Sequence, residues 1–243
     1  MGGAAVTTSL RRLGEGLVAA GAVVVGAGVV VEVLRFGSVG DFALADALSL
    51  SLEANIPTWY SSMLLFSCAL ALASAGHDDE AWRAHWWGLA AAFVAISADE
   101  VAGFHERLNG VARLGGVFHF AWVIPFSAVV LVVAVLTLPF LRALPAPARR
   151  RFVASAVLYV GGALGVELIL GAWTSRHGAM NLGYRLIDAV EEAGEIAGAS
   201  LFLWSVLAHR ADVAGRGAGS RGARSTLSGV VPSVDASGAD DGR

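Results

Sequence analysis

In the stretch 117–141, VFHFAWVIPFSAVVLVVAVLTLPFL, no residue is Asp, Glu, Lys or Arg. As a helix rising about 1.5 Å per residue it crosses the roughly 30 Å of a bilayer's hydrocarbon. Further mostly apolar runs flank it at about 13–34, 57–76, 85–104, 152–173 and 184–209. Composition agrees: of 243 residues 56% are hydrophobic and 15% charged, with a mean hydropathy of +0.66. A soluble domain carries about a quarter charged residues, so an ordinary cytosolic globule is excluded. The expected fold is all-α, a polytopic membrane protein of six transmembrane helices.

The first run follows Arg11 and Arg12 and begins like a secretory signal. No small-x-small cleavage site follows it, and Glu32 and Arg35 close it, so it reads as a retained helix. Pro57 stands at a helix start, where its missing N–H costs nothing. Pro125 is expected to kink the fourth span. The net charge is −3, and all 17 basic residues are Arg. Without Lys there is no Schiff base to retinal or pyridoxal phosphate and no P-loop phosphate cradle. The single cysteine, Cys68, forms no disulfide within the chain.

Placing the N-terminus in the cytoplasm puts eleven arginines inside (11, 12, 83, 142, 149, 150, 151, 210, 216, 221 and 224) and five outside (35, 107, 113, 176 and 185). This bias predicts both termini inside. Trp59, Trp122 and Trp173 then fall at the outer interface, and Trp82, Trp86, Trp87 and Trp204 at the inner one, as anchors. The segment 40–56, GDFALADALSLSLEANI, is too short and too polar to span and is expected to hold a short interfacial helix. Residues 210–243 turn to Gly, Ala, Ser, Arg and Asp and are expected to form a disordered cytoplasmic tail.

With this orientation the intramembrane acids lie in one layer. Asp99 and Glu100 are about 21 to 22 Å along the third span, Glu167 about 22 Å along the fifth, and Glu191, Glu192 and Glu195 follow Asp188 into the sixth from outside. Each mid-helix charge costs about 2.5–3.5 kcal/mol on insertion scales, or roughly 15–20 kcal/mol for Asp99, Glu100, Glu167, Glu191, Glu192 and Glu195 together. A typical fold has a net stability of only about 5–15 kcal/mol. No Arg lies mid-span to neutralise them, so protons, a bound cation or a hydrated vestibule must do so.

Asp188, Glu191, Glu192 and Glu195 form one stripe at i, i+3, i+4 and i+7, and Asp99 and Glu106, seven apart, share a helical face. Gly161 with Gly165, and Gly194 with Gly198, permit close helix approach that would bring Glu167 to that stripe; the same faces are candidate contacts for a second copy of the chain. Each pair also reads as ordinary packing in a glycine-rich membrane protein. Glu32, Glu53 and Glu106 admit a plain reading as solvated surface residues.

His105, Glu106 and His119 stand at the outer ends of spans three and four as candidate further metal ligands. Together with the carboxylates they suit a divalent ion such as Mn, Fe or Ca, with Zn through His105 and His119. The Glu-x-x-His pairs of a ferritin-like di-iron bundle are missing. Glu100 and His105 are about 140° apart on a helix and meet only if it ends between them, which Gly103 permits.

The segments Pro57-Thr58-Trp59-Tyr60-Ser61-Ser62 (PTWYSS), Asp99-Glu100 with His105-Glu106 (DE-x4-HE) and Glu191-Glu192 with Glu195 (EE-x2-E) resemble those of an uncharacterised group of bacterial six-helix integral membrane proteins. That resemblance covers most of residues 13–209. It implies architecture and a bacterial plasma (inner) membrane, and carries no activity. Alkaline-ceramidase-like hydrolases use three His with a Ser and an Asp around zinc, and the outer half here offers only His105 and His119. CAAX-protease-like proteins carry Glu-Glu-x-x-x-Arg, and no Arg follows Glu191-Glu192 at that place.

The leading expectation is an outward-facing carboxylate and His site that binds a proton, a metal or an organic cation for transport or sensing. A metal-dependent membrane enzyme acting on a lipid or other amphiphile is the alternative, and a non-catalytic membrane subunit a third. The expected partner is the lipid bilayer, with no nucleic acid.

Overall fold

The computed structural model describes residues 2–37, 44–109 and 114–228. They form α1 (Gly2–Phe36), one-turn α2 (Ala45–Leu48), α3 (Ile56–Asp78), α4 (Arg83–Ala102), short α5 (Phe104–Leu108) and a 3-10 turn at Gly116–Phe118. After these come α6 (Val123–Ala143), α7 (Ala146–Val160), a π-helical segment (Gly161–Val166), α8 (Glu167–His177) and α9 (Leu182–Ser228). Four rods are long and apolar enough to cross a membrane: Thr8–Phe36, Ile56–Asp78, Val123–Ala143, and Ala146–His177, which joins α7, the π segment and α8. The chain is an all-α membrane protein. The runs expected at 85–104 and 184–209 fall in α4 and α9, which are less apolar because Asp99 and Glu100 interrupt one and Asp188, Glu191, Glu192 and Glu195 the other.

α9 is the central helix and packs on α1, α3, α7, the π segment and α8, while α4 lies along α3. Leu65, Cys68 and Leu72 of α3, Trp86 of α4, and Phe202 and Val206 of α9 belong to the buried core. At such sites apolar side chains touch one another at close-packed density. α6 is different: Val123 and Phe140 near its ends are buried, while Val129, Leu131, Val132, Val135 and Leu136 between them are exposed. An apolar surface of that extent suits contact with lipid.

Local signals explain the helix ends. Asn55 caps α3 by accepting the Thr58 N–H at 3.2 Å, with Pro57 in the first turn. Gly103, at φ +57°, closes α4 in the left-handed conformation. Span four begins later than expected: 117–122 form the 3-10 turn and bends, and α6 starts at Val123. Pro125 therefore falls in a first helical turn, where its missing N–H breaks no bond, and is not the expected kink.

The close approach of α7 and α9 uses only half of the glycines picked out by spacing. A Cβ on Gly194 would lie 3.2 Å from the Gly162 Cα, and one on Gly198 would press on Tyr159. Gly161 and Gly165 have nothing within 4 Å. The inward face of this rod runs through Ala148, Phe152, Ser155, Tyr159 and Gly162, at spacings of four and three, and leaves Gly161 and Gly165 outside it.

Two expected interfacial anchors are interior: Trp86 donates from its indole N–H to Asp79 at 3.0 Å, and Trp122 to Glu167 at 2.9 Å. α9 continues to Ser228 through the first part of the segment expected to be disordered, held by Arg210–Asp78 at 2.9 Å and Arg151–Asp212 at 3.8 Å. The rest of that segment, 229–243, lies outside the described residues, as do 40–43 of the expected interfacial helix and Arg113.

Candidate functional site

The C-terminal ends of α1, α4 and α8 meet the starts of α3, α6 and α9 at one end of the bundle. Glu167 is the first residue of α8, directly after the π segment, and is only 7% exposed. Such a segment changes the register of side chains along a helix and recurs at functional sites. The Trp122 indole donates to Glu167 Oε1 at 2.9 Å. The Glu191 carboxyl, also buried, lies close enough to that of Glu167 for the two to interact directly. Glu191 Oε2 meets no donor. Two carboxyls brought this close away from water disfavour each other's ionised form.

Farther along α9, Glu195 lies near enough to the Tyr159 side chain to interact with it electrostatically. Glu100 of α4 is near enough to interact electrostatically with Glu192 and Glu195, and Asp188 contributes to the same field. Thus α4, α8 and α9 each bring carboxyls to one region. Glycine governs the approach: a Cβ on Gly162 would stand 2.8 Å from the Glu191 carbonyl oxygen.

At the rim the chain turns sharply. Because Gly103 ends α4, His105 folds back on Asp99: its backbone N–H donates to Oδ1 at 3.0 Å, and its Nδ1 lies 2.8 Å from Oδ2. The imidazole meets the Trp122 ring edge-on at 4.8 Å. The break removes the face expected to join Asp99 and Glu106. Instead Glu106 gathers with His105 and Glu53, their ligand atoms all within 4.8 Å of one another. The Glu53 carboxylate rests against Gly103, where a Cβ would come within 2.7 Å of Oε2. Loss of hydration against its close neighbours, then the charge of Glu106, push the exposed Glu53 carboxyl above its ordinary range, with His105 and then Arg107 opposing. His119 is elsewhere: its Nδ1 is 3.3 Å from Ser175 Oγ, beside α8, and it does not join the rim group.

Several participants escaped the sequence reading. Glu32, for which the sequence also admitted a solvated surface position, is fully buried, accepts from the Ser49 hydroxyl, and lies 3.9 Å from Arg185 Nε. Residues 45–50 fold back over the end of α1 and cover it, with Ala45, Ser49 and Leu50 buried. Arg185, itself 7% exposed, also donates to the Ser51 carbonyl at 3.3 Å. The available signal was Arg185 standing three residues before Asp188 on a helix face. Tyr159 and Trp122 had no local signal, since aromatic residues in an apolar run read as packing or interface.

No curated protein and no solved structure gives a match to the chain. One family model, described as "Domain of unknown function (DUF8692)", matches residues 17–211, from the first half of α1 to the middle of α9, and includes every acid of the candidate site. The chain therefore belongs to the DUF8692 family.

Proposed function

We propose that this is a six-span protein of the bacterial inner membrane, with both termini cytoplasmic. Its outward-facing carboxyl layer binds and releases a proton, a metal or an organic cation, for transport or sensing. The observation that carries this reading is the Glu167–Glu191 contact: two buried carboxyls, with an indole N–H on one of them. Such a pair exchanges its proton for a cation, or passes it on, at little structural cost. Glu192, Glu195 and Glu100 extend the layer toward the middle of the bundle. The arginine bias supports the orientation.

The test uses purified protein in proteoliposomes containing a pH-sensitive dye. A cation gradient is expected to drive a pH change that Glu192→Gln and Glu195→Gln abolish. Infrared spectra of the same samples should show a protonated-carboxyl band that shifts on cation addition and weakens in Glu191→Gln. Unchanged flux in both variants, together with a band insensitive to cations, overturns the reading.

A second reading, a metal-dependent membrane enzyme acting on a lipid or other amphiphile, is favoured by the group of Glu53, His105 and Glu106 at the rim. It predicts a lipid product that disappears in Glu100→Ala.

A further inference from the structure

The rim group is chemically distinct from the deep layer, because it contains an imidazole and lies open to water. Glu53 and Glu106 are exposed and His105 is half-buried. Neither glutamate has an ion-pair partner among the described residues. His105 is held twice by Asp99, once through its backbone N–H at 3.0 Å and once through Nδ1 at 2.8 Å. That engagement of Nδ1 leaves Nε2 as the nitrogen available to a ligand. A carboxylate bonded to the far nitrogen of an imidazole is the usual support of a metal-ligating histidine: it sets the tautomer, orients the ring and raises its basicity.

From this arrangement we infer that the rim is a divalent transition-metal site, with zinc as the best-matched ion, in which His105 Nε2, Glu53 and Glu106 are the ligands and Asp99 positions the histidine. One nitrogen and two carboxylate oxygens suit a borderline ion better than calcium, which takes six to eight oxygens. Zinc holds such ligands at about 2.0–2.2 Å, so two ligand atoms on one ion stand no more than about 4.4 Å apart. The three side chains already stand together, with a ligand atom of each within 4.8 Å of the others, and rotation of the two exposed glutamates brings their oxygens onto an ion at Nε2. Three protein ligands leave a fourth position for water or substrate. Asp99 thus has a different role from the deep carboxyls with which its position in the sequence groups it, and His119 has none in this site.

The experiment is zinc titration of the full chain in mild detergent and metal-free buffer. One tight equivalent is expected. His105→Ala should remove it, and Glu53→Gln and Glu106→Gln should each weaken it at least tenfold. Asp99→Asn should weaken it by about 10–100-fold with the melting temperature of the metal-free protein unchanged. Glu192→Gln, in the deep layer, should bind zinc normally, so failure of the flux reading and failure of this site are separable.

Glu53→Cys loaded with Co²⁺ supplies an independent signature, a thiolate-to-cobalt absorption band; Cys68 is fully buried and does not contribute. No stoichiometric zinc in the wild type, uptake indifferent to His105 and Glu53, or a missing cobalt–thiolate band would each overturn the assignment.

Discussion

The two ends of the bundle treat charge in opposite ways. At the arginine-rich end, acids and bases pair across exposed surface: Arg11 with Glu15 at 2.8 Å, Arg83 with Glu80 at 3.4 Å, and Arg210 with Asp78 at 2.9 Å. At the acidic end, Glu32, Glu167 and Glu191 are buried, and a buried Arg185 lies 3.9 Å from Glu32. Charges left in water contribute little to stability and need no partner, whereas buried ones must be compensated within the fold.

The largest expected effect tests that contrast directly. Arg185→Met leaves Glu32 buried without its counter-charge, and losing one member of a buried pair costs about 3–5 kcal/mol. Thermal melting in detergent should show the loss, and Arg185→Met with Glu32→Gln should recover much of it. If the single variant melts like the wild type, the acidic end is more hydrated than its burial implies.

Next comes the helix approach beneath the layer. Gly162→Val forces a side chain against the α9 backbone, and overpacking of this kind costs about 1–3 kcal/mol. Gly161→Val, one residue away with nothing within 4 Å, should change the melting temperature little. Equal effects at the two positions would mean that α7 and α9 do not meet through Gly162.

A smaller loss, about 1–2 kcal/mol, is expected for Trp122→Phe, which removes the N–H donated to Glu167. In a double-mutant cycle with Glu167→Gln the two effects should not add, because they remove parts of one interaction. The smallest effect belongs to the other end: Arg11→Ala, breaking an exposed i,i+4 pair with Glu15, should change stability by no more than about 0.5 kcal/mol.

Much of the acidic end was legible along the chain. Burying a carboxylate in an apolar run is costly enough that Asp99, Glu100, Glu167, Glu191, Glu192 and Glu195 stood out from composition alone, and helical spacing put the α9 acids on one stripe. Gly103, too, was readable as the place where a helix can stop. What could not be read is which partners meet across helices. His119 and His105 are equivalent by position in sequence, yet one is bonded to Ser175 and the other to Asp99. Glu53 lies in a polar segment where acids are ordinary, and nothing local ties it to His105.

The sequence by itself determined that this is an all-helical membrane protein with acids massed toward one end, because hydrophobicity, helix rise and the cost of a buried charge act on each segment separately. Tertiary structure alone decided that Gly162 rather than Gly161 admits α9, that Glu32 is covered by residues 45–50, and that Glu53, His105 and Glu106 share the rim. Those outcomes depend on the register of one helix against another. Register is set by the sum of many weak packing contacts between residues far apart in the chain.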